Sequence, residues 1–196
     1  MIFYVEWMLE KEKQKEEKEK CRKDDMNFDI IQQVSFPENQ YIKEETKKSQ
    51  IVLHHTGSTN GYVDVEYWKK SKERIATPFI IQKDGTILQL FSSKYWAYHC
   101  LLGTDFNKKA IGIEIVNEGQ LTRKNNKMYW YQGEYKGDYI EFEKPWRGYK
   151  AFVSYTDKQV DSTAQLVAYL CKQYNITTNI AMSFELDRDK WINYNG

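Results

Sequence analysis

Apolar residues follow two spacings along this chain. Short continuous runs occur at Ile51-Val-Leu53, Phe79-Ile-Ile81, Thr86-Ile-Leu-Gln-Leu-Phe91 and Ala110-Ile-Gly-Ile-Glu-Ile-Val116. They are too brief for helices and rich in β-branched side chains, so each predicts a buried strand, with Ile51–Leu53 as the central one. Lys83-Asp-Gly85 separates the second and third runs and predicts a tight hairpin turn. Helical spacing appears elsewhere. Val63 to Ser71 reads as a short helix. Thr156 opens a longer one, with Gln159 at capping-box distance and an apolar face of Val160, Ala164, Val167, Leu170, Cys171 and Tyr174 before Asn175. Between them, Asn117 to Tyr149 is aromatic, glycine-containing and polar. It predicts a long insertion with a small hairpin around Met128–Tyr131. Interleaved strands and helices place the chain in the α/β or α+β class with a mixed sheet.

The first 25 residues break this pattern. Glu10 to Asp25 is almost wholly charged. It reads as a helix polar on every side, which cannot pack on its own. With Met1–Leu9 it predicts a helical extension over 1–25, ahead of a compact domain over 26–196. In the full chain of 196 residues, 41% are hydrophobic and 15% aromatic, enough for a real core. The balance of 29 basic against 28 acidic residues argues against nucleic acid as a partner. No apolar run approaches a membrane span. The apolar start lacks a basic flank and a cleavage site, so no signal peptide is read and the chain is expected to be cytoplasmic when made. Cys21, Cys100 and Cys171 lie too far apart for a disulfide framework or a paired-cysteine metal knuckle. Cys171 reads as a small core residue and Cys21 as solvated.

Three features change the picture from fold to chemistry. Two of the chain's three histidines, His54 and His55, stand together at the end of the first apolar run. Neighbouring strand residues point to opposite faces, so one of them faces a cleft and is a candidate zinc donor. Ordinary strand-end polarity is the other reading of the pair. Glu114 is the one acid in an otherwise apolar strand, where it requires a cation, a metal or a catalytic task. His99, in Trp96-Ala-Tyr-His-Cys100, lies just before that strand.

Taken in order, Ile51–Gly57, Phe79–Ile87, Ala97-Tyr-His99 and Ala110–Ile115 resemble the successive motifs of zinc-dependent N-acetylmuramoyl-L-alanine amidases. This amidase-2 family is related to phage lysozyme-type amidases and peptidoglycan recognition proteins. The resemblance runs from about Tyr41 to Gly196. It implies a central mixed β-sheet flanked by helices and a zinc-bearing groove for the peptidoglycan stem. His54 matches the first zinc ligand, and His55 the next position, which is not the usual ligand. Glu114 matches the catalytic acid of the glutamate-using branch. His99 matches the groove-side histidine of a Trp-His motif, here preceded by Tyr98. Trp96, Tyr98 and Trp130 are candidates for lining the groove. In another branch a catalytic tyrosine sits two residues before the Phe79 position. Thr77 stands there in this chain, which leaves the base role to Glu114. The implied reaction is hydrolysis of the amide between N-acetylmuramic acid and L-alanine, in peptidoglycan or a muropeptide, by zinc-activated water.

The resemblance also implies a second zinc-binding histidine far downstream, followed by an Asp or Cys. No histidine follows His99, and Asp187 and Asp189 do not sit in the matching motif. The expectation is therefore an incomplete zinc site, with the chain stopping short of that segment. A non-catalytic peptidoglycan-binding module and an inactive amidase fragment are the alternatives.

Overall fold

The computed structural model describes residues 30–177. The extension over 1–25, together with Asp187 and Asp189, lies outside the described residues. Five strands form a central sheet in the order β1-β4-β3-β5-β2. They are β1 (Ile31–Gln33), β2 (Gln50–His55), β3 (Phe79–Ile81), β4 (Ile87–Gln89) and β5 (Ala110–Ile115). The sheet is mixed, as the resemblance implied. β1 runs parallel to β4, and β5 runs parallel to both β3 and β2, while β3 and β4 form the antiparallel hairpin.

Both faces of this sheet are covered, which is why its strands read as continuous apolar runs. On one face, Phe79, Ile81, Ile87, Ile111, Ile113 and Ile115 pack against Leu166 and Leu170 of helix α3 (Asp157–Tyr174). On the other, Ile80 and Leu88 join Val65 and Trp68 of helix α1 (Gly61–Lys70) in a cluster with Tyr41, Phe91 and Val116. A short helix α2 (Thr104–Lys109) leads straight into β5. The run Ile51–Leu53 is not central, however. Among the described residues β2 is the outer strand, paired with β5 alone, and Leu53 is 51% exposed.

The hairpin turn forms where the sequence places it. The amide of Gln82 donates to the Thr86 carbonyl at 2.8 Å, and Asp84 accepts from the Thr86 amide at 2.9 Å. Gly85 needs its left-handed φ of +89°, and a Cβ there would come within 2.9 Å of Ser162 Oγ. The turn thus rests against the start of α3. There Thr156 accepts from the Gln159 amide and Gln159 accepts from the Thr156 amide, each at 3.1 Å. This is the predicted capping box. The Gln159 side chain also donates to the Val116 carbonyl at 2.7 Å, joining the helix to the end of β5.

The interval expected to be a long insertion with a small hairpin around Met128–Tyr131 is a second sheet that includes that hairpin. Strands β6 (Gln120–Lys124), β7 (Lys127–Trp130), β8 (Gly133–Tyr135), β9 (Tyr139–Trp146) and β10 (Tyr149–Val153) pair antiparallel in the order β8-β7-β6-β10-β9. Leu121, Met128, Ala151 and Val153 give it a small core of its own. The sheet leaves and rejoins the main body at one place. The Val153 amide donates to the Gly119 carbonyl at 3.0 Å, and Asn117 donates to the Val153 carbonyl at 3.1 Å.

Candidate active site

Register in the central sheet decides what meets what. Leu88, Ile80, Glu114 and His54 are successive cross-strand partners on β4, β3, β5 and β2. They form one row across the sheet, so the acid of β5 stands directly beside the histidine of β2. His55 takes the opposite orientation. Its ring lies against Gly119, where a Cβ would come within 3.0 Å of Nε2. Adjacent strand residues diverge, and His55 takes no part in the cluster around His54.

Gly112 precedes Glu114 by two positions and shares its face. Its missing side chain leaves room for the His99 ring, whose Cγ and Nδ1 would lie 3.0 Å from a Cβ at that position. His99 and Cys100 lie in the loop before α2, and Asn107 fixes that loop from within. The fully buried Asn107 accepts from the amides of His99 (2.9 Å) and Cys100 (3.0 Å). It also donates to the carbonyls of Cys100 (2.9 Å) and Gly103 (2.7 Å). With the backbone held in this way, the two consecutive side chains converge on His54. His54 Nε2 and His99 Nδ1 are 3.0 Å apart. Cys100 Sγ is 3.3 Å from His99 Nδ1 and 3.9 Å from His54 Nε2. The two rings meet edge to face, at 84°.

The electrostatics suit ligand chemistry. Burial, then the neighbouring His54 and the Lys48 charge, push His99 down to about 3. Burial, then His55, also lowers His54. Both imidazoles are therefore neutral near pH 7, the form that binds metals. Burial, with the Asp64 charge second, pushes the Glu114 carboxyl up to about 8. Its Oε2 is buried without a hydrogen-bond partner among the described residues. Burial followed by the Glu114 charge also raises the Cys100 thiol and the Tyr155 phenol, which places both groups in its field.

The donor set fits a divalent transition metal. Two imidazole nitrogens and one sulfur lie within 4.8 Å of one another. Sequence alone leaves His54 without further zinc ligands and puts His99 at the groove wall. The structure instead brings His99 and Cys100 to His54. Trp96 is only 6% exposed, and its indole N–H donates to the Glu44 carboxylate at 3.0 Å, so it lies beneath the surface. Tyr98 is 38% exposed and meets the Trp96 ring edge-on. Thr77 is buried, and its hydroxyl is committed to the Phe79 carbonyl at 2.9 Å. Sequence alone gives Cys100 only as a cysteine without a paired-cysteine spacing, and assigns no role to Asn107, Asp64 or Tyr155. The available signal was the adjacent His99-Cys100 pair, which offers two soft donors without any paired-cysteine spacing.

Several solved structures are similar to this chain. The structure of PlyL is similar with a TM-score of 0.50 at 16% identity, over 75% of this chain and 76% of that one. The endolysin amidase LysCS from Clostridium intestinale URNW gives a TM-score of 0.42 at 20% identity, over 75% and 76% of the two chains. AmiD from E. coli, an amidase solved with a muropeptide substrate, gives 0.46 at 16% identity, over 69% of this chain and 47% of that one. Among curated proteins, none matches the sequence. Residues 44–184, well over half of the chain, match the family described as N-acetylmuramoyl-L-alanine amidase. The chain belongs to the N-acetylmuramoyl-L-alanine amidase family, whose members are peptidoglycan hydrolases.

Proposed function

We propose that this chain itself hydrolyses the amide joining N-acetylmuramic acid to L-alanine, in the wall or in wall fragments, with zinc bound at His54 and proton transfer by Glu114. The observation that carries this is the in-register pairing of Glu114 with His54, with one carboxylate oxygen buried and unpartnered among the described residues. Such an oxygen is costly unless it has work to do. Zinc, when bound, lowers the pKa of a water and polarises the scissile carbonyl. Glu114 would accept a proton from the attacking water and return it to the departing alanine nitrogen. Thr77 offers no second base, since its hydroxyl is used by the backbone. Tyr98 gives its exposed face to the stem, while Trp96 supports it edge-on from below.

Glu114→Gln keeps the shape of the side chain and removes the proton acceptor. Release of stem peptide from purified peptidoglycan should fall by about two orders of magnitude or more, with zinc content unchanged. Cleavage by Glu114→Gln at the unaltered rate would refute the assignment. Wall binding without cleavage by the parent chain would favour a non-catalytic binding module.

A further inference from the structure

We propose that His54, His99 and Cys100 together are the protein ligands of the zinc ion: two imidazoles and a thiolate, with the fourth position open. The proposal rests on the zinc-amidase reading above and names its donors. For zinc bonded to nitrogen at about 2.0–2.1 Å and to sulfur at about 2.3 Å, a tetrahedron has edges of about 3.3 Å between nitrogens and about 3.6 Å between nitrogen and sulfur. The observed edges are 3.0 Å between the nitrogens and 3.3 and 3.9 Å to the sulfur. Three donors from two separate elements therefore already span the face of such a tetrahedron.

Sequence neighbours rarely share a metal when both lie in a strand, which is why His55 cannot assist His54. His99 and Cys100 escape this rule because they lie in a loop. Asn107 clamps both amides and the Cys100 carbonyl, and Gly112 provides the hollow beneath the His99 ring. The convergence is thus held in place by the surrounding chain. Thiolate with imidazole selects zinc over magnesium, calcium or manganese. Three protein ligands with an open fourth position is also the catalytic, rather than the structural, pattern for zinc. Glu114 neighbours this set through its pairing with His54.

The test uses the full chain. Zinc affinity is measured against a competing chelator, and cobalt is substituted to reveal a sulfur-to-metal charge-transfer band. In a Cys21→Ser/Cys171→Ser double variant, Cys100 is the only remaining thiol, and the band should persist at one metal per chain. It should vanish in Cys100→Ser. Zinc affinity should drop more than about tenfold in both Cys100→Ser and His99→Ala, while metal-free thermal unfolding of Cys100→Ser stays close to the parent's. Tight zinc binding that both substitutions leave unchanged, or a cobalt spectrum without the thiolate band in the double variant, overturns this donor set while leaving a zinc amidase intact. Zinc held through Cys100 with no cleavage of peptidoglycan keeps the donor set and defeats the functional reading. A chain that takes up no zinc defeats both.

Discussion

Asn107 has no exposed surface and uses both ends of its amide on one loop. Its replacement by Ala leaves the amides of His99 and Cys100 without an acceptor, at about 1–3 kcal/mol for each buried group. Urea unfolding of Asn107→Ala should show a loss of about 2–4 kcal/mol. Asn107→Asp retains an acceptor for both amides and should recover part of that loss. Equal losses in the two variants would contradict the clamp. Single residues were unequally legible in the sequence. Glu114 stood out because an acid in an apolar strand has few explanations. His54 stood out because it ends such a strand. Asn107 carries no local signal and Cys100 only its adjacency to His99, since their roles depend on how one loop closes against a strand 46 residues before Cys100, at His54.

At the level of elements, helix α3 shows how a correct boundary can carry a misplaced face. Thr156 and Gln159 cap it as predicted, yet Val160 is 56% exposed, while Gln159, Ser162 and Thr163 are buried. The inward face is rotated toward these polar residues because Gln159 bonds to the end of β5 and Thr163 bonds back to the Gln159 carbonyl. Side-chain polarity alone gave no sign of that. Thr156→Ala removes the acceptor for the Gln159 amide and a donor to the Lys83 carbonyl at the hairpin. It should lower stability by about 1 kcal/mol, read as a shifted urea midpoint with an unchanged slope. No shift would mean that the cap contributes nothing here. The second sheet was missed although its turns were visible. Asn125-Asn126 and Arg147-Gly148 all have positive φ and form two-residue connections between strands. Asn and Gly at such turns are the usual hairpin signal. The polar strands between them hid it, because only one face of that small sheet is buried.

On the scale of the whole molecule, the fold class and the individual strands around the site follow from the buried runs, while the order of the strands and the position of β2 at the sheet's edge do not. An apolar run signals burial without saying how many neighbours a strand has. Lys48 links distant parts of the body. It is buried, and its ammonium donates to the Tyr95 carbonyl, ahead of the loop that carries His99 and Cys100, and to the Lys108 carbonyl in helix α2 beyond it. Burial outweighs the attraction of Glu44 and lowers it from 10.5 to about 8. Between those two values the unfolded chain holds a proton that the folded chain has shed, so stability rises with pH across that window. Below it both states are charged and the cost of burying the ammonium is constant. Relative to Lys48→Met, the parent protein should gain on the order of 2 kcal/mol across that window in chemical unfolding. A constant difference between the two proteins would contradict this.

The pairing of β2 with β5 has a further consequence, for the order in which the protein assembles. Gln50 meets Ala110 and His54 meets Glu114, with both strands running in the same direction. Parallel pairings across so much intervening chain close large loops and form slowly. The hairpin of β3 and β4 and the helix α3 need no such closure. The side chains of His54, His99 and Cys100 therefore meet only when the longest-range strand pairing among the described residues is in place. During refolding, capture of a metal ion there would mark the arrival of the native topology, after the local elements have already formed.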